Sequence, residues 1–178
     1  MADDPKTRRF DPPPRAMDYS AFVAKFGGVY EHFPEIAMRA FGNGLSPETD
    51  TPEGLAGTMA AVAASLDRAA KLKLIRNHPD LAGKAAIAGE LTEASKSEQA
   101  GAGLADCTPE EFARFQALND AYKEKFGFPF VIAVAGLDRQ AILDAFERRI
   151  ENGVGQEFSE ALAEIDKIAR LRLETLAR

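Results

Sequence analysis

"TPEEFARFQALNDAYKEKFGFPFVIAVAG", residues 108–136, holds a fully punctuated helix and, directly after it, a run with the composition of a strand. Which of the two represents the rest of the chain decides the fold class. Thr108 is a cap, Pro109 sits in the first turn, Glu111 completes a Thr-x-x-Glu capping box, and Gly127 suits the left-handed terminating conformation. Phe112, Phe115, Leu118, Tyr122 and Phe126 recur every three or four positions and give one apolar face. Residues 126–136, by contrast, are continuously aromatic and β-branched, as in a buried strand. A strand needs a ladder partner, the neighbouring segments all read as helices, and Pro129 removes one donor. The run is therefore expected to be a buried extended connection with some backbone groups open to a ligand. An apolar plug that only packs fits the same residues.

Outward from this stretch the helix signals repeat. "DYSAFVAKFGG" ends at Gly27 and Gly28, "PEIAMRAFGNG" runs from Pro34 to Gly42, and Thr51-Pro52-Glu53 opens an Ala-rich segment. A helix after Asp138 is expected to bury Ile142, Ala145, Phe146 and Ile150, and a last one to run from about Gln156 almost to the C-terminus. The expected architecture is all-α: a single-domain helical bundle with one buried extended connection, about 126–136. Residues 1–16, with "DPPPR", read as an extended, mobile proline-rich arm, leaving 17–178 as the helical domain.

The length of 178 residues suits one domain with a sizeable core. A net charge of -6, with Lys and Arg scattered, argues against a nucleic-acid partner and for a small solute. Cys107 is the single cysteine, which rules out an intramolecular disulfide and fits a reducing cytoplasm. No run reaches membrane-spanning length, and the charged, proline-rich N-terminus lacks a signal-peptide core. HExxH, phosphate-loop and nucleophile-elbow motifs are missing, and two distant histidines make a poor metal site, so no metal is expected.

Four features remain as candidates for chemistry. His78, in "RNHPDLAGK", is kept out of helical conformation by Pro79 and should project from a bend. Either it moves protons, which its pKa range suits, or it is a surface histidine favoured by a helix C-terminus; His32 takes the bland reading more readily. "SKSEQ", residues 95–99, holds Ser95-x-x-Glu98, which reads as a capping box, while Gln99 has no such explanation. The same helix start could hold an anionic or urea-like ligand. In the last helix Ile165, Ile168, Ala169 and Leu176 make a narrow apolar stripe with Arg172 in its middle, whereas Arg170 faces away with Asp166. A buried Arg172 needs a structural acid, carbonyls, an anionic ligand or a path to the surface. Cys107, just before a cap and without a histidine beside it, reads better as a half-buried small residue than as a nucleophile.

"NHPDLAGK", "GELTEASKSEQAGAGL", "LNDAYKEKFGFPFVIAVAG" and "EIDKIARLRLETL" together resemble the family of 2-oxo-4-hydroxy-4-carboxy-5-ureidoimidazoline (OHCU) decarboxylases of urate degradation, from about Tyr19 to the C-terminus. The resemblance implies an all-α homodimer that converts OHCU to (S)-allantoin and carbon dioxide without a cofactor. It places the catalytic histidine on His78, with Glu98 beside it in the chemistry. Substrate contacts fall on Pro79, on Ser95, Lys96, Ser97, Glu98 and Gln99 of the polar turn, and on Phe130, Val131, Ile132, Ala133 and Val134. The substrate-binding arginine falls on Arg172, with Arg170 open to a different register. Loss of carbon dioxide leaves an electron pair on a ring carbon, so the protein must hold the carboxylate and supply a proton. On this likeness His78 donates that proton on one face, Glu98 orients the substrate or His78, and Arg172 and Gln99 bind carboxylate, carbonyl or ureido groups. The backbone of 130–134 reads the ring amides. The competing class is a non-catalytic helical module that sequesters a ureide or purine derivative; a Cys107-dependent hydrolase is a weaker third.

Overall fold

Short polar side chains start most of the helices. Asp18, Thr51, Asp67, Thr92, Thr108 and Asp138 each accept a bond from a first-turn backbone N–H, satisfying donors that an isolated helix would leave open. The computed structural model describes residues 8–83 and 89–178. Within them the α-helices are α1 (Tyr19–Phe26), α2 (Glu35–Gly42), α3 (Pro52–Ser65), α4 (Arg68–Arg76), α5 (Glu93–Gly101), α6 (Pro109–Phe126), α7 (Arg139–Arg149) and α8 (Val154–Leu176). No strand occurs among the described residues, and no helix there is long and apolar enough to cross a membrane.

The chain divides into two compact units, Met1–Asn77 with Asp166–Arg178, and His78–Ile165. The first unit packs α1 to α4 and the end of α8 around Phe22, Phe26, Ile36, Leu55, Met59, Leu74 and Leu173. Residues 8–16, expected to be mobile, are held here. Phe10 is 3% exposed, packs edge-on to Phe26 with ring centroids 5.0 Å apart, and its N–H donates to the Asp50 carbonyl. Arg9 and Arg178 exchange two backbone bonds. An apolar ring outweighs the extended preference of the neighbouring prolines.

In the second unit α6 carries the predicted capping box between Thr108 and Glu111, and Gly127 ends it at φ 76°. Tyr122 touches the rings of Phe126, Phe128, Phe130 and Phe146, and Phe130 stacks on Phe146 at 3.9 Å. Residues 128–134 are thus the extended connection read from the sequence. They run without a ladder and are wrapped by aromatic side chains of α6 and α7.

Candidate active site

His78 lies in the bend just after Asn77, the C-cap of α4. It is only 7% exposed, which removes the surface-histidine reading. The backbone after it is held unusually closely. Asp80 O accepts from Gln99 Nε2 at 3.3 Å, Leu81 O from Asn119 Nδ2 at 3.0 Å, and Ala82 O from Gln116 Nε2 at 2.7 Å. Ala82 N donates to Gln99 Oε1 at 3.1 Å, and the Asp80 carboxylate pairs with Lys123 at 2.6 Å. Ala82 adopts φ 48°, which a non-glycine residue holds only under restraint. The turn is also tight, since a Cβ on Gly83 would lie 2.7 Å from that of Asp80.

α5 begins at Glu93 with Thr92 as its cap, so the expected Ser95-x-x-Glu98 capping box does not form. Thr92 stands three residues upstream and accepts from the Ser95 N–H, which moves Ser95 into the first turn. Ser95 and Gln99 are buried and Glu98 is half-buried, all three within one face, whereas Lys96 and Ser97 are exposed. Gln99 has its carbonyl and one amide hydrogen committed to the 80–82 backbone, so its first role is to tie α5 to the loop that carries His78. A cleft of about 480 Å³ opens beside α5, lined by Lys96 and Gln99 of that helix and by Cys107 ahead of α6. Burial, followed by the nearby Glu111 charge, pushes the Cys107 thiol up, which opposes the thiolate a hydrolase would need.

Of the residues assigned to backbone contacts, Phe130, Val131, Ala133 and Val134 are buried and Ile132 is half-buried. Three of their backbone groups are engaged within the protein: Val134 O accepts from the Leu137 N–H at 3.0 Å, and two others bond side chains. Val131 O accepts from Arg149 Nη1 at 2.7 Å, and Ala133 N donates to Glu164 Oε2 at 2.7 Å. Arg149, 1% exposed, lies over the Phe130 ring and donates from Nε to Glu157 at 2.7 Å. Glu157 also accepts from Tyr122 Oη at 2.5 Å and Asn152 Nδ2 at 2.9 Å. Burial first, and the Glu157 carboxylate second, push the Tyr122 hydroxyl far above the usual tyrosine range, so it remains a donor. This network was missed from sequence. The signal was there: Arg149 falls three residues after Phe146 and seven after Ile142, on the apolar face.

Arg172 belongs to the other unit. It is 8% exposed, and its Nη1 donates to Glu31 Oε2 at 2.7 Å and towards Val29 O at 3.4 Å. The inward placing of Arg172 and the outward placing of Arg170 agree with the periodicity, since the Arg170 side chain is 52% exposed and pairs with Glu174 one turn on. The stripe continues through Leu173, which is fully buried, rather than the expected Leu176, which is exposed. Glu31, 2% exposed, was not anticipated. His32 is exposed and takes the structural reading.

In the second unit the fold therefore brings the His78 loop onto Gln99 of α5 and onto α6, whose aromatic side chain Tyr122 also supports the 128–134 connection. Arg172 is placed by its own unit against Glu31. Comparison with known proteins adds four observations. The family model described as OHCU decarboxylase matches residues 15–174. The chain is 40% identical over 157 residues to a 2-oxo-4-hydroxy-4-carboxy-5-ureidoimidazoline decarboxylase of Haloferax volcanii, covering 88% of this chain and 89% of that one. A crystal structure of an (S)-allantoin synthase superposes with a TM-score of 0.73 at 27% identity, covering 93% of this chain and 52% of that longer one. A second, of an OHCU decarboxylase, has a TM-score of 0.65 over 90% of this chain and 98% of its own, and at 23% identity it speaks for the fold alone. With a matched span that includes His78, the Ser95 to Gln99 turn, the 128–134 connection and Arg172, the chain belongs to the OHCU decarboxylase family.

Proposed function

We propose that this protein decarboxylates OHCU to (S)-allantoin and carbon dioxide in urate degradation. Membership of the family supports the reaction, and one observation supports the mechanism: His78, the residue on which the resemblance puts the family's histidine, is buried two positions ahead of residues 80–82, whose carbonyls are each held by a side chain.

The chemistry asks little beyond placement and a proton. The bond from ring carbon to carboxylate breaks, carbon dioxide leaves, and the electron pair passes into the adjacent ring C=N, which takes up a proton as the enol forms. Tautomerisation then puts hydrogen on the ureido-bearing carbon and turns the ring hydroxyl into a carbonyl. The balance is one carboxylate and one proton in, allantoin and carbon dioxide out. The ring itself accepts the pair, so the reaction is proposed to run without a cofactor. His78 is the proton donor and fixes the face on which hydrogen arrives, giving one enantiomer. Glu98 orients the substrate or the imidazole. Pro79, Ser95 and Gln99 contact the substrate, with Gln99 limited to its second amide hydrogen, and Lys96 and Ser97 complete the turn. Residues 130–134 read ring amides with the backbone groups that Arg149, Glu164 and Leu137 do not hold. Arg172 binds an anionic or carbonyl oxygen of the substrate.

The same reading extends to a cytoplasmic homodimer with the activity in residues 17–178, supported by the family likeness and by a matched span of 15–174. Sedimentation velocity tests the dimer.

The deciding experiment is the initial rate of optically active allantoin formation from enzymatically generated OHCU, with His78→Asn beside the wild type. A loss of about 10² to 10⁴-fold is expected, with the residual product racemic. A wild-type rate and retained chirality in the variant would refute the role of His78. Stoichiometric depletion of ligand by the wild type, with no carbon dioxide released, would leave a ureide-binding module instead.

A further inference from the structure

We propose that Gln116, Asn119 and Lys123 of α6 are positioning residues, which set the direction of the His78 imidazole by gripping the three peptide units downstream of it. The inference rests on the reading of His78 as proton donor.

Three observations support it. Positions 116, 119 and 123 fall within one narrow face of α6, because steps of three and four residues nearly close full turns. Their contacts run in strict reverse order along the loop: Gln116 to Ala82, Asn119 to Leu81, and Lys123 to the side chain of Asp80. With Gln99 on Asp80 and Ala82 from α5, residues 80–82 are fixed from two helices, two residues after His78.

The second observation is the conformation being held. Ala82 sits at φ 48°, a state a free loop would leave, and both its carbonyl and its N–H are pinned by glutamine side chains. Strain of this kind persists where the surroundings over-determine it.

The third is the nature of Asn119. It lies on the buried face of α6 between Phe115 and Tyr122, is 1% exposed, and its Oδ1 has no hydrogen-bond partner among the described residues. An apolar side chain would pack that face without burying an unmatched acceptor. What the amide does there is bond Leu81 O, so its contribution is to the course of the loop.

A misplacement of about 1 Å at a reacting group costs about 10²-fold in rate. The test uses the full chain with Gln116→Leu, Lys123→Met and the double variant, and Lys123→Arg as the conservative replacement. Measured are kcat, KM, the optical purity of the allantoin, and the folded fraction by circular dichroism. The expected result is a fall in kcat of about 10-fold for each single variant and about 10²-fold for the double, KM changing less than about twofold, optical purity falling in parallel, and Lys123→Arg recovering most of the rate. Unchanged kcat and optical purity in folded variants overturn the proposal while leaving the decarboxylase reading intact. Loss of kcat matched by loss of folded protein also overturns it, since that is what a purely structural role predicts. Should the double variant fail to fold, the half-exposed Lys123→Met decides the matter by the same criteria. A wild type without turnover removes both readings together.

Discussion

Arg172 and Glu31, 141 positions apart in the chain, meet at 2.7 Å with both side chains nearly withdrawn from solvent. Removing two charges from water is expensive, and the pair is tolerated because each neutralises the other and the guanidinium also leans on the Val29 carbonyl. Glu31→Ala should therefore destabilise the protein by about 3 to 5 kcal/mol in urea denaturation, because it leaves Arg172 buried without this partner. The double variant Glu31→Leu with Arg172→Met should recover most of that stability. On the proposal that Arg172 binds substrate, it should still show a raised KM, which separates the structural role from the functional one.

The Arg149–Glu157 pair makes a parallel case in the other unit, where it holds the Val131 carbonyl. Glu157→Gln should cost about 3 to 5 kcal/mol. Tyr122→Phe, which loses only the hydroxyl donor to Glu157, should cost about 1 to 3 kcal/mol. Chemical denaturation of both variants checks the order, and equal losses would contradict it.

Asp166 gives a pH signature. Burial pushes its carboxyl above the ordinary aspartate value of 3.8, against a smaller opposing effect of the bond donated by Tyr30 Oη at 2.7 Å. With the folded value above the unfolded one, the native state holds the proton more tightly. The stability this contributes is present below pH 3.8 and is lost as pH rises through the folded value. Asp166→Asn keeps an acceptor for Tyr30 and removes the buried charge. The variant should be more stable than wild type at pH 7, and the difference should close as the pH falls towards and below 3.8. Thermal melts across that range test the sign.

Phe10→Ala should destabilise by about 3 to 5 kcal/mol, because it empties a buried ring site beside Phe26. A melting temperature equal to wild type would show that residues 8–16 contribute nothing to the first unit.

Much of the fold was legible because its signals are local. A cap needs one polar side chain near a free N–H, and an apolar face needs only the right spacing, so α6 and the start of α7 could be read to the residue. The absence of a sheet among the described residues followed from a count: one strand-like run among helices has nothing to pair with. Periodicity alone also turned Arg172 inward and Arg170 outward. Ser95 was misread because two hydroxyl residues three positions apart compete for one cap, and Thr92 took it. Leu176 was misread because an apolar spacing extends to the chain end whether or not anything covers it.

The sequence by itself thus determined the helices, the unpaired extended connection, the burial of Arg172 and, through its family motifs, His78 as the residue to mutate. Only the tertiary structure decided the partners. Glu31 for Arg172, Glu157 for Arg149, and Gln99, Gln116 and Asn119 for the 80–82 carbonyls are pairings between distant positions. A buried polar group states that it needs a partner, but spacing along the chain carries no information about which distant carbonyl or carboxylate the folded backbone will bring within about 3 Å.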